Sequence, residues 1–152
     1  IQVPKMIQIC NDHGVFMKQH NTDYLSDEAL KWHPRLGIHA ANVAPEFGVV
    51  ETRSLISILE ENNLTKLSEK FLELSFSSNK WKKWMLNNSR ASDRDRSIIA
   101  GHYVFSKPEC IEIKQEAQTI LRKKNIDIES ELKNSVKKEI YRYMINFRML
   151  DN

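Results

Sequence analysis

Residues 15–53, VFMKQHNTDYLSDEALKWHPRLGIHAANVAPEFGVVETR, constrain the fold more than any other part of this chain. A short run over residues 15–19 precedes a polar loop and a helical pattern, and a second run over residues 38–43 precedes another polar loop and a helix start. That order is the order of two consecutive βα units. In parallel α/β proteins the carboxyl ends of the strands open onto the ligand crevice. His20, Asn21, Asp23, Asn42 and Glu46 all follow an expected strand directly or within a few residues, so each is a candidate site residue.

Start and stop signals frame these units. Pro4 suits the first turn of a helix over residues 4–13, with Gly14 as its stop. No strand precedes that helix, so Ile1 is expected to begin the C-terminal portion of a larger protein. Ser26 is expected to cap a helix over residues 26–32, Asp27 and Glu28 favour its positive end, and Pro34 is expected to end it. Gly37 introduces the second strand, and Pro45 and Gly48 shape a loop before a helix over residues 49–61.

Beyond Asn62 the apolar spacing is helical almost throughout, and no strand longer than about three residues is expected there. Leu64, Leu67, Phe71 and Leu74 form one stripe, and Ser92 with Asp93 and Asp95 starts a helix expected to reach Phe105. Pro108 restarts a helix to about residue 124, and Ile128, Leu132, Val136, Ile140, Met144 and Phe147 line a last one over residues 128–149. That stripe is expected to cover a missing part of the fold, a second subunit or the Trp81 and Trp84 segment, which makes an oligomer the expected state. The chain thus divides into a βα portion, residues 1–61, and a helical C-terminal extension, residues 62–152.

With 41% hydrophobic and 28% charged residues the chain has the balance of a soluble domain, and no apolar run approaches the ~20 residues of a membrane span. Cys10 and Cys110 form no CxxC and are expected to be buried reduced thiols of a cytoplasmic protein. Residues 1–75 hold 7 Lys/Arg against 10 Asp/Glu, and residues 76–152 hold 16 against 10. The basic residues alternate with acids, as on solvated helix faces, so no nucleic-acid partner is expected. Trp81 and Trp84, flanked by lysines, would stack bases or anchor a helix; the second is the ordinary use of such a pair.

Several loop residues carry chemistry. His20 can ligate a divalent metal through neutral imidazole, or can be held in a loop by hydrogen bonds. Asn42 can donate to and accept from a substrate hydroxyl, or can serve as a strand-end turn former. Asn21 and Asp23 can grip hydroxyls, and Asp23 can equally cap the following helix. Glu46 and Glu51 are acid/base candidates, although Glu51 also suits a first helical turn. Arg53 can reach a phosphate or pair with Glu46.

The signature HNTDY, then a helix, a strand, a Pro-containing loop and ETR, with the later SNKWKKWM, SDRDRS and KPECIEIKQEA segments, resembles the non-catalytic, chaperone-like subunit family of class II tagatose bisphosphate aldolase. Gly37-Ile38-His39-Ala40-Ala41-Asn42-Val43 is more distantly similar to a strand of the class II fructose and tagatose bisphosphate aldolases whose Asn contacts substrate. His20 then falls where a zinc ligand would lie. The resemblance implies the last two βα units of a TIM (β/α)8 barrel plus a helical extension, in an α/β carbohydrate-metabolism protein. It implies His20 as metal ligand, Asn21, Asp23, Asn42, Glu46 and Arg53 as substrate-binding residues, a sugar phosphate as ligand, and zinc as the metal of a full-length protein whose other zinc ligands would lie on strands upstream of Ile1. Its partner would be the catalytic aldolase subunit, which it would stabilise. Asn21-Thr22-Asp23 lacks the glycines and serines of the aldolase phosphate loop, and Ala44-Pro45-Glu46 replaces polar residues of that site. The alternative is an enzyme in its own right, a metal-dependent aldolase or a sugar-phosphate isomerase or epimerase.

Overall fold

The computed structural model describes residues 2–150. The chain is 69% helical and has two short parallel strands in an open sheet, which overturns the barrel expectation: it is a helical protein and not a TIM-barrel fragment. Its elements run α1 (Gln2–Asp12), β1 (Lys18–Gln19), α2 (Asp27–Leu36), β2 (Ala40–Ala41), α3 (Pro45–Glu61), α4 (Thr65–Ser77), α5 (Asp93–Ala100), α6 (Pro108–Leu121) and α7 (Ile128–Asn146). Short 3-10 turns occupy Lys80–Trp84, Gly101–Tyr103 and Arg122–Lys124. Two compact units emerge, one of Ile1–Phe47 with Lys137–Asn152 and one of Gly48–Val136.

In the first unit β1 and β2 pair in parallel, Lys18 opposite Ala40 and Gln19 opposite Ala41. The two strands are joined through α2, so His20 and Asn42 lie at the same end of the pair, as the βα pattern predicts. The strands are shorter than expected. Barrel strands are buried on both faces, whereas Phe16 is 81% exposed and Val15 54%. Val15 N donates instead to the Cys10 carbonyl at 2.9 Å, and Phe16 meets the His39 ring at 4.6 Å without entering the ladder. Backbone bonds from His39 N to Met17 O (3.0 Å) and from Thr22 N to Asn42 O (2.9 Å) flank the two paired positions.

Ser26 caps α2 as expected, its hydroxyl accepting from Ala29 N. Pro34 does not end that helix. It sits in the last turn, and the chain leaves three residues later at Gly37, whose φ of +82° suits glycine. Helix α3 begins at Pro45, earlier than the expected residue 49, because proline is preorganised for a first turn. The start proposed at Ile1 lies outside the described residues.

The second unit is a helical core. Leu55, Leu59, Leu67, Phe71, Ile98, Cys110, Ala117, Leu121, Ile128 and Leu132 are all buried, and Phe71 meets Phe105 at 5.8 Å between ring centroids. No strand occurs among its described residues. Ser92 and Asp95 close a capping box at the start of α5, which ends at Ala100 and passes into the 3-10 turn. Gly101 lies so near Thr52 that an added Cβ would fall 2.3 Å from its Cγ2, which puts the 3-10 turn directly on α3. Trp81 acts as an anchor: its ring stacks on Phe76 at 5.3 Å and its indole N–H donates to the Phe76 carbonyl at 3.0 Å.

The apolar stripe of the last helix is covered only in part, and Ile140 remains 38% exposed. Ile128 and Leu132 are buried in the core of the second unit and Tyr143 is buried in the first. Among the described residues no helix is long and apolar enough to cross a membrane.

The two thiols differ. Cys110 is fully buried, and that burial pushes its pKa from the ordinary 9.0 up to about 11, while Cys10 is partly exposed. A thiol whose folded pKa is raised contributes stability that is complete below about pH 9 and fades as pH rises through 11. A shift of that size corresponds to about 2–3 kcal/mol at most. Titration with a chromogenic disulfide reagent at pH 8 is expected to modify Cys10 promptly and Cys110 only after denaturant is added. Prompt reaction of both thiols would contradict the buried placement of Cys110.

Candidate functional site

The loops after β1 and β2 are tied together by the acidic residues that sequence reasoning assigned to substrate. One carboxylate oxygen of Asp23 accepts from Ala44 N at 3.0 Å and from Glu46 N at 2.9 Å. These amides belong to the start of α3, whose first N–H groups have no partners within the helix. Asp23 therefore caps α3 from a distant loop, whereas the expected cap is on the helix that directly follows it.

Glu46 is 8% exposed, and its Oε2 accepts from the Tyr24 backbone N–H and from the Tyr143 hydroxyl. The same hydroxyl lies 2.9 Å from the Thr22 carbonyl. Burial first, and then the hydrogen bond to the Glu46 carboxylate and its charge, push the Tyr143 pKa well above the usual phenol range. Arg142 reaches 3.7 Å from the other Glu46 oxygen; it also donates to Asp27 at 2.8 Å, to Glu139 and to the Leu25 carbonyl. The result is a closed clasp. Two backbone loops, the start of α3 and the end of α7 are held through Glu46, Tyr143 and Arg142, with Tyr143 edge-on to both Phe47 and Phe147.

The remaining candidates are distributed differently. His20, Asn21 and Asn42 are exposed; Asn21 adopts a left-handed φ of 57°, and the Asn42 backbone bridges Gln19 and Thr22. Arg53 does not join them: it is exposed on α3 in the second unit, where it lines a groove of about 300 Å³ with Glu60, Arg94 and Asp95. The cation beside Glu46 is Arg142. In that groove Arg94 grips Glu60 with two bonds of 2.8 and 2.9 Å, which hold the Glu60 pKa down. Glu51 lies in the second unit, where burial raises its pKa.

A zinc site needs three or four protein ligands. His20 would supply one, and among the described residues no three His, Cys, Asp or Glu side chains converge to hold a metal ion.

Three partners of the clasp were missed. Thr22 and Tyr143 are buried and Arg142 is half-buried, yet only the aliphatic stripe of α7 drew notice in the sequence. Tyr143 lies three positions after Ile140 and four before Phe147, so helical spacing does place it on the apolar face. Comparison with protein-family models, curated proteins and solved structures finds no match to this chain.

Proposed function

We propose that this chain is a non-catalytic partner subunit that binds and stabilises the catalytic subunit of a class II tagatose bisphosphate aldolase, as its resemblance in residues 15–53 implies. The observation that carries this reading is the fate of the acidic residues. Asp23 and Glu46 are committed to capping α3 and to the Tyr24 and Tyr143 bonds, so in this arrangement they hold the fold instead of presenting acid/base groups to a substrate. The surface suits a protein partner. Met6, Ile9, Val15 and Phe16 are each more than half exposed in the first unit, which leaves apolar side chains available to a protein partner.

The second reading, an enzyme in its own right, draws on one observation: His20 and Asn42 are exposed at the same end of the two strands. One experiment separates the two. Co-expression with the catalytic subunit is expected to give co-purification and a longer half-life of aldolase activity at elevated temperature. Phe16→Asp, at a position 81% exposed, is expected to weaken co-purification at least tenfold while leaving the chain's own unfolding midpoint unchanged. His20→Ala is expected to leave the activity of the complex intact. No association with the catalytic subunit would reject the proposal, and loss of activity in His20→Ala would favour the enzyme reading.

A further inference from the structure

The first unit forms a half-open, largely apolar cavity of about 420 Å³, lined among others by His33, Val43, Phe47, Met144 and Phe147. An apolar cavity of about 150 Å³ is enough to hold benzene, and small-molecule sites run from roughly 300 to 1,000 Å³. Volume alone names no ligand. The decisive feature is His33, which is 6% exposed and carries a ring nitrogen, Nε2, that is shielded from solvent and has no hydrogen-bond partner among the described residues.

The other ring nitrogen fixes the chemistry on offer. Nδ1 lies 3.1 Å from the Ala29 carbonyl, which can only accept, so Nδ1 carries the proton of that bond. In the neutral tautomer selected this way Nε2 is an acceptor, and it points away from the α2 backbone that Nδ1 faces. Burying such an acceptor without a donor costs free energy that a bound hydroxyl or N–H would recover. Among the described lining residues there is no Lys, Arg, Asp or Glu, so a charged ligand would lose its hydration without gaining an ion-pair partner. Met144 and Met149 are unbranched, which lets the lining adapt as a ligand approaches the ring.

We propose that this cavity binds a neutral, largely apolar small molecule carrying one hydroxyl or N–H group, with His33 Nε2 as its hydrogen-bond acceptor. The site is independent of the aldolase-partner reading, and a sugar phosphate is the wrong chemistry for it.

The test uses 2-naphthol and 2-methylnaphthalene, a pair of similar shape that differ in the donor. Titrated into the intact chain, 2-naphthol is expected to bind about tenfold more tightly, the ratio that one recovered hydrogen bond supplies. In His33→Leu the two probes are expected to bind alike. In case that variant does not fold, nitrogen NMR of the wild-type imidazole gives a second reading: 2-naphthol is expected to shift the Nε2 resonance of His33 and 2-methylnaphthalene to leave it in place. Equal affinities in the wild type, a preference that survives in His33→Leu, or an unmoved Nε2 resonance would each overturn the proposal.

Discussion

Glu46→Ala is expected to destabilise the chain by about 2–4 kcal/mol, because it removes a carboxylate on which three groups converge. The Tyr24 N–H loses its Glu46 bond, the Tyr143 hydroxyl keeps the Thr22 carbonyl but loses its charged acceptor, and Arg142 keeps Asp27 and Glu139 but loses Glu46. Glu46→Gln separates hydrogen bonding from charge. Both donors address the same oxygen, Oε2, so a glutamine carbonyl there can still accept from each, and about 1 kcal/mol of loss is expected. Tyr143→Phe removes one donor and is expected to cost about 1–2 kcal/mol. In a double-mutant cycle Glu46→Ala and Tyr143→Phe should be non-additive, since each removes the same bond. Urea unfolding of the four proteins measures this. Additive losses, or a Glu46→Ala variant within about 0.5 kcal/mol of wild type, would show that the clasp does not hold the fold.

Phe71→Ala is expected to cost about 3–5 kcal/mol, the range for emptying a buried aromatic site. Phe71 is fully buried in the helical core and its ring meets Phe105, so truncation removes both the burial and an aromatic contact. Natural domains hold only about 5–15 kcal/mol in total, so this one change is expected to consume a large part of the margin. Phe71→Leu keeps an apolar side chain there and is expected to cost about 1–2 kcal/mol. Thermal and urea unfolding midpoints would rank the three proteins. A Phe71→Ala loss below about 1 kcal/mol would mean that the core relaxes around the gap or that α4 does not pack as described.

The two substitutions probe different kinds of information. Phe71 belongs to a stripe visible as Leu64, Leu67, Phe71 and Leu74, and Leu67 and Phe71 are the members fully inside. The capped start at Ser92 and the restart at Pro108 were equally legible, since capping and proline effects act within a few residues. So was the parallel pairing with His20 and Asn42 at one end, because a strand, helix, strand order leaves few other arrangements. The extent of the strands was not legible. Strand residues are stabilised by what covers them, and nothing within residues 15–19 states that Val15 and Phe16 stay exposed.

The candidate site divides the same way. By itself the sequence determined where most helices lie, the Ser26 and Ser92 caps, the apolar stripes, and the grouping of polar residues after the two short strands, because these follow from spacing and local hydrogen bonding. Tertiary structure alone decided that Asp23 caps a helix begun twenty-two residues later at Pro45, and that Glu46 meets Tyr143, which is 97 positions away. It also decided that His33 keeps one ring nitrogen without a partner beside a cavity. A carboxylate or imidazole takes its role from the donor or acceptor that reaches it, and contacts across such separations leave no periodic trace in the chain.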